Sequence, residues 1–238
     1  MTWVETLIDD FDDNSLDSTT IWEVSGVATE TSQALHIQVT LSFPFVRTLK
    51  THNMTNSLFA VKWNAGTGTA TSSCRFGITA TDPAGNDVYL VSEILTSNWA
   101  FGTNGAATVT GTTTGTGAGT SFTNGTWFGL GMLGSDNILH GYKSADGVTW
   151  TELGHVTVGG TFDKTQVRYR IQPGYFTSSE SPTWACNIPE AAVWAPWHKT
   201  HVRQGGKWVE ASVKARQGGA WVLAKPHSRQ GGAWISSH

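Results

Sequence analysis

Cysteine, charge and long apolar runs are all scarce in this chain, and each shortage excludes something. Cys74 and Cys186 are its two cysteines. They stand far apart with no CxxC spacing, so neither a cysteine metal motif nor a redox motif is present. Both thiols are expected to be buried and free, in a protein made in a reducing cytoplasm. No apolar run approaches the length of a membrane span, so no membrane insertion is expected. The start, Met1-Thr-Trp-Val-Glu-Thr-Leu7, lacks a basic segment followed by an apolar one, and no signal peptide is expected. Long amphipathic helical runs are absent as well.

Charged residues make up only 14% of the chain, and the net charge of −3 hides an uneven placement. Residues 1–197 carry 8 Lys/Arg against 17 Asp/Glu, whereas residues 198–238 carry 7 against 1. A basic tail can mark a nucleic-acid arm. Here the cations sit at fixed repeat positions beside Trp and Gly, which fits a solvated, ordered edge whose charges discourage stray strand pairing. No nucleic-acid partner is expected.

Glycine, threonine, serine and tryptophan are plentiful, with 27 Gly and 12 Trp. That composition favours short strands and tight turns, and 238 residues suffice for one large β domain plus an appendage. Leu35, Ile37, Val39 and Leu41 alternate onto one face of a strand over 34–41. Further strands are expected over 58–63, 74–80 and 88–91, the last two joined through Asp82-Pro83-Ala84-Gly85-Asn86. Residues 139–143 and 148–150 flank Ser144-Ala145-Asp146-Gly147 as a hairpin with an Asp-Gly turn. Val167, Tyr169 and Ile171 point inward from a strand over 165–171. Many short alternating strands without a helix signal describe an all-β, two-layer sandwich.

Two stretches stand out within it. Residues 102–125 are uncharged and sixteen of the 24 are Gly or Thr; a flexible linker seldom holds so much Thr, so exposed Thr-lined strands or a projecting ribbon are expected. The opening acids Asp9, Asp10, Asp12 and Asp13 supply oxygens that suit Ca²⁺. They lack the spacing and central Gly of an EF-hand loop, and the competing reading is a first strand running into an Asx-rich turn.

At the C-terminus one phrase is written three times. Arg203-Gln-Gly-Gly-Lys-Trp208 returns as Arg216-Gln-Gly-Gly-Ala-Trp221 and as Arg229-Gln-Gly-Gly-Ala-Trp234, 13 residues apart each time. A fixed short period means one small unit used repeatedly, and Gly-Gly between strand-forming residues predicts two-residue hairpin loops. Three short hairpins hold too little apolar surface to stay ordered alone. Oligomerisation or anchoring through Arg203, Trp208, Arg216, Trp221, Arg229 and Trp234 follows, with a homotrimer as the expected state. The domain reading is a sandwich over 1–190, a Trp/Pro connector over 191–201, and three 13-residue β repeats over 202–238.

Catalytic signatures are missing. No Glu is followed two residues later by Asp, so the strand-borne carboxylate set of sandwich glycan hydrolases is absent. There is no Gly-x-Ser-x-Gly, no His-Glu-x-x-His and no P-loop. His198 and His201, three apart, would face opposite sides of a strand and do not form a chelating pair. The chain is therefore read as a non-enzyme, and binding is the activity left. Trp99, Trp127, Tyr142 and Trp150 are the candidate carbohydrate-stacking residues, with core packing as the alternative for each tryptophan.

With these residues in view, the chain resembles minor tail proteins of tailed bacteriophages that infect actinobacteria. The Arg-x-Gly-Gly-x-Trp repeats, as in Val202-Arg-Gln-Gly-Gly-Lys-Trp-Val209, look like the terminal repeats of those proteins. Residues Asp9-Asp10-Phe11, Leu16-Asp17 and Trp22, with the Ser144-x-Asp146-Gly147-x-Thr149-Trp150 hairpin, look like a concanavalin-A-like lectin/glucanase jelly roll. The resemblance implies a virion tail, tail-tip or fibre protein that displays a carbohydrate-binding domain toward a host cell-surface glycan and contacts other virion tail proteins. A purely structural or decorating virion component, and a polysaccharide depolymerase, are the competing readings.

Overall fold

The computed structural model describes residues 3–38, 44–67, 74–93, 98–111, 113–116, 125–132, 136–175 and 185–196, together with the backbone of short strands between 200 and 236. The chain divides into a sandwich, Thr2–Ala195, and a terminal unit, Pro196–His238. No helix occurs among the described residues.

The sandwich opens with β1 (Trp3–Asp9), β2 (Trp22–Ser25), β3 (Ala28–Thr31), β4 (Ala34–Gln38) and β5 (Phe45–Thr48). The long β6 (Ser57–Thr67) leads to a meander of β7 (Cys74–Thr81), β8 (Asp87–Glu93) and β9 (Asn98–Asn104). Two short strands follow, β10 (Ala107–Gly111) and β11 (Thr114–Thr116). A second meander comprises β12 (Thr126–Met132), β13 (Ile138–Ser144) and β14 (Thr151–Gly160), before β15 (Arg168–Tyr175) and β16 (Ala185–Pro196).

These strands form two antiparallel sheets. The nine-stranded sheet runs β10-β14-β13-β12-β6-β16-β4-β3 with β1 on β16, and the seven-stranded sheet runs β11-β9-β8-β7-β15-β5-β2. The chain passes repeatedly from one sheet to the other, as in a jelly roll, so both sheets must form before either inner face is covered.

The period-2 pattern places the core between them. Leu35 and Ile37 are fully buried, as are Val167, Tyr169 and Ile171; Val39 and Leu41 lie outside the described residues. Phe59 stacks on Tyr169 with centroids 4.4 Å apart, and Phe11 stacks on Trp22 at 5.8 Å. Each such side chain contributes about 1.5–3 kcal/mol by leaving water. Neither cysteine is in a disulfide and both are buried, and burial pushes the Cys186 thiol up to about 12.

Three expectations are refined. Residues 102–125 do not project as a ribbon where described: β10 pairs with β14 at one sheet's edge and β11 with β9 at the other's. Thr108 and Thr110 do face solvent, so an exposed Thr-lined strand is present. The turn after β13 is longer than an Asp-Gly hairpin, since Lys143 pairs with Thr151 and residues 145–150 form a loop. Asp146 Oδ1 accepts the N–H groups of Val148 and Thr149, and Ser144 Oγ accepts that of Gly147. These bonds replace the ladder that Val148 and Thr149 would otherwise need. Finally, β16 continues to Pro196 with Trp194 buried, so sheet structure extends past residue 190 into the segment read as connector.

The terminal unit contains β17 (Thr200–Gln204) paired with β18 (Lys207–Ala211), β19 (Lys214–Gln217) with β20 (Ala220–Leu223), and β21 (His227–Gln230) with β22 (Ala233–Ser236). Each pair is a separate two-stranded sheet. The register repeats: Arg203 is opposite Trp208, Arg216 opposite Trp221, and Arg229 opposite Trp234. The Gly-Gly pairs expected as loops lie outside the described residues.

Candidate functional site

Alternation in the seven-stranded sheet sends one set of side chains into the core and the other onto an open face. Cys74, Phe76, Ile78 and Ala80 of β7 are core, so Arg75, Gly77 and Thr79 face out. On β8, Val88 and Leu90 are core, and Asp87, Tyr89, Val91 and Glu93 face out. Tyr169 and Ile171 of β15 leave Arg168, Arg170 and Gln172 outside. An apolar interior thus carries a polar exterior without any extra element.

Opposite charges meet across neighbouring strands of this face. Arg47 grips both Glu23 oxygens through Nη2, at 2.8 and 2.7 Å, and Arg168 reaches the same carboxylate at 3.4 Å. Arg75 pairs with Glu93 at 2.9 Å and Arg170 with Asp87 at 2.9 Å. Thr81 Oγ1 donates to the other Asp87 oxygen at 2.7 Å. The guanidinium groups of Arg47 and Arg170 both lie over the Phe45 ring, at 5.6 and 5.3 Å. Arg170 Nε is buried without a hydrogen-bond partner. A guanidinium carries five N–H donors in a planar fork, and Arg170, paired through Nη2, stays partly exposed on this face.

Tyr89 supplies the apolar part. A Cβ added at Gly102 would lie 2.3 Å from Tyr89 Cζ and Oη, so the phenol ring lies across the bare glycine backbone. Tyr89 itself is half-buried, with ring surface left for contact. Two adjoining cavities, of about 370 and 530 Å³, share Arg75, Val91 and Ala100 and together make a groove along this face. An aromatic ring among fixed polar donors and acceptors is what a pyranose ring and its hydroxyls require.

The aromatic residues singled out in the sequence divide into two groups. Trp99 is 8% exposed and packs edge-on against Phe101 in the core, yet it also borders the larger groove cavity. Trp127, Tyr142 and Trp150 gather instead on the outer face of the nine-stranded sheet, around Trp194. Trp194 meets Trp127 at 4.7 Å and Trp150 at 5.1 Å, both edge-on. Lys62 covers the Trp127 ring at 5.7 Å, and Gly147 of the 145–150 loop sits against its Nε1. Trp127 and Tyr142 are 4% and 8% exposed, so their rings are spent on packing rather than offered as free platforms. Burial, with the Glu152 charge nearby, pushes the Tyr142 hydroxyl up to about 12.

The opening acids are distributed as an Asx-rich turn. Asp9 accepts the Phe11 N–H at 3.0 Å and the Trp22 indole N–H at 2.7 Å, and Asp13 accepts the Ser15 N–H at 2.8 Å. Asp10 and Asp12 border a separate cavity of about 630 Å³, where the Asp10 charge raises the Asp12 carboxyl. Two of the four carboxylates are therefore occupied by the fold, and two remain as oxygen donors. Of Arg203, Trp208, Arg216, Trp221, Arg229 and Trp234, the backbone register above is what the structure describes.

Sequence reasoning missed the groove residues Arg75, Tyr89 and Arg170. Their signal was parity: once Val88 and Leu90 are inward, Tyr89 must face out, and an aromatic residue there needs a reason other than the core.

Neither a protein-family model nor a curated protein matches the chain in sequence. Solved structures match in shape. One is of an endo-acting O-glycanase that members of the human gut microbiota express to initiate mucin breakdown, at 11% identity and a TM-score of 0.54, over 78% of this chain and 96% of that one. Another is the carbohydrate recognition domain of Emp47p, at 8% identity and a TM-score of 0.50, over 76% and 93%. A third is the CBM2 module of the evolved Dit of Lactobacillus casei BL23 phage J-1, at 12% identity and a TM-score of 0.49, over 82% and 97%. The first two likenesses show the fold, a two-sheet jelly-roll sandwich.

Proposed function

We propose that this chain is a non-enzymatic bacteriophage tail protein whose sandwich binds a host cell-surface glycan in the groove of the seven-stranded sheet. The observation that carries the binding reading is the combination of Tyr89 over Gly102 with Arg75 and Arg170 along one open face. The fold is shared with a carbohydrate recognition domain and with a glycan-active enzyme, which supports a sugar as the ligand class. Binding without hydrolysis is favoured because Glu23, Asp87 and Glu93 are each ion-paired to arginine, whereas glycoside hydrolysis needs one carboxyl kept as an acid and a second free to act as nucleophile or base.

The terminal hairpins join copies of the chain, as a homotrimer, or fix it to other virion tail proteins. Isolated two-stranded ribbons are marginal in water, and three separate ones in identical register need a further surface to cover them. The placement in a phage tail rests on the repeat's resemblance to those of phage minor tail proteins. The test is an array of bacterial cell-wall polysaccharides probed with the full-length chain, with reducing-end release followed in parallel. Selective retention without release supports the proposal; no retention favours a decorating virion component, and release makes it a depolymerase.

A further inference from the structure

A second polar cluster lies on the outer face of the nine-stranded sheet, away from the groove. Leu139 of β13 is core, and a Cβ at Gly141 would meet Leu90 of the core, so His140 between them faces outward. On β14, Glu152 and His155 are three residues apart, a spacing that puts two side chains on opposite faces of a regular strand. The register shows why it does not here. Gly141 pairs with Gly154 and Tyr142 with Glu152, which leaves Leu153 without a partner in a β-bulge. The bulge turns Glu152 and His155 to the same side, opposite Tyr142 and His140.

Both imidazoles then aim the same atom at one carboxylate oxygen. His155 Nδ1 is 2.5 Å and His140 Nδ1 3.3 Å from Glu152 Oε1. The three donor atoms all lie within 4.8 Å of one another. His140 Nδ1 is buried, with Glu152 Oε1 as the group it faces, and Tyr142 stacks on the His140 ring at 5.7 Å, which fixes its direction.

We infer that His140, Glu152 and His155 form a binding site for a transition-metal dication of the Zn²⁺ class. Two imidazole nitrogens and one carboxylate oxygen suit Zn²⁺, Ni²⁺ or Cu²⁺, whereas Ca²⁺ and Mg²⁺ take shells of oxygen. A tetrahedral ion with bonds of about 2.0–2.1 Å holds its ligands roughly 3.3 Å apart, which is the His140–Glu152 separation. His155, 62% exposed, has room to draw back from hydrogen-bond contact to the same distance. The ion takes the place of the hydrogen bond between His155 Nδ1 and Glu152 Oε1. Three protein ligands leave the fourth position to water, and the bound ion clamps the bulge that creates the site.

The experiment titrates the metal-free, full-length chain with ZnCl₂ by calorimetry and with Co²⁺ by visible absorption. The wild type is expected to bind Zn²⁺ and to show tetrahedral Co²⁺ bands. Glu152→Gln, nearly isosteric, should weaken this binding at least tenfold and abolish the bands. His140→Ala/His155→Ala should lose one equivalent of Zn²⁺, while any ion held by other histidines stays. Equal stoichiometry in wild type and double variant, including no binding by either, overturns the inference. Should the double variant melt before the titration, His155→Ala, exposed and free of folding demands, decides the matter: affinity unchanged from wild type refutes the site.

Discussion

Replacing Gly102 with Ala separates the groove's geometry from its function. The new Cβ would sit 2.3 Å from Tyr89 Cζ and Oη and 2.5 Å from Cε2. Ordinary carbon contacts lie at about 3.5–4.0 Å, so the ring must retreat by more than about 1 Å. Tyr89 is half-buried and its ring end can swing outward, which keeps the cost near the low end of overpacking, about 1 kcal/mol. For a domain of this size that is a fall in melting temperature of about 2–4 °C. The displaced ring no longer offers a platform and stands in the groove instead. A stacked ring contact contributes about 0.5–1.5 kcal/mol, so affinity for a retained cell-wall polysaccharide should fall roughly two- to tenfold. Differential scanning calorimetry and a polysaccharide titration read the two effects independently. An unchanged melting temperature and affinity would refute the placement of Tyr89, and a lowered melting temperature with full affinity would refute the groove as the binding face.

Other perturbations test other parts of the account. Trp22→Phe keeps a ring in the core but removes the hydrogen bond to Asp9; a bond to a charged group contributes about 1.5–3 kcal/mol, which denaturant titration should recover as lost stability. The Asp146 carboxyl is held down at about 2, against an ordinary 3.8, by the N–H groups of Thr149 and Val148 and the Ser144 hydroxyl. Its folded value lies below its unfolded one, so its contribution is complete above pH 3.8 and lost as pH falls toward 2; an NMR titration of the side chain that gives an ordinary value would contradict the loop's hydrogen bonding. Cys74 and Cys186 are fully buried, and a thiol reagent at pH 8 should modify neither until the protein is unfolded. Changing Trp208, Trp221 and Trp234 together to Ala should reduce the assembly to monomers in sedimentation, and a surviving oligomer would remove the hairpins from the interface.

Much of the architecture was legible because a strand half-buried on each face writes its parity into the sequence. Leu35 and Ile37, or Val167, Tyr169 and Ile171, declare their inward side without help from neighbours. The repeated Arg-Gln-Gly-Gly-x-Trp phrase likewise announced three hairpins in one register. Other features depend on partners that sequence order does not reveal. Trp127 and Tyr142 looked like platforms, but their fate was decided by Trp194, 67 and 52 residues further on, and by Lys62, from a strand much earlier in the chain. The 145–150 loop reads as a tight turn until the hydrogen bonds of Asp146 are seen. The bulge at Leu153 inverts the facing of Glu152, and no local pattern marks it. The groove itself was half-legible: parity exposes Arg75, Tyr89 and Arg170, but only the strand order places β8, β7 and β15 side by side.

The most direct test compares full-length wild type with Arg75→Ala/Tyr89→Ala on an array of bacterial cell-wall polysaccharides, with melting temperatures measured alongside. The wild type should retain at least one polysaccharide, and the double variant should lose at least tenfold in affinity while remaining folded. Undiminished retention by the folded variant, or no retention by the wild type on any polysaccharide, would contradict a glycan-binding groove on the seven-stranded sheet.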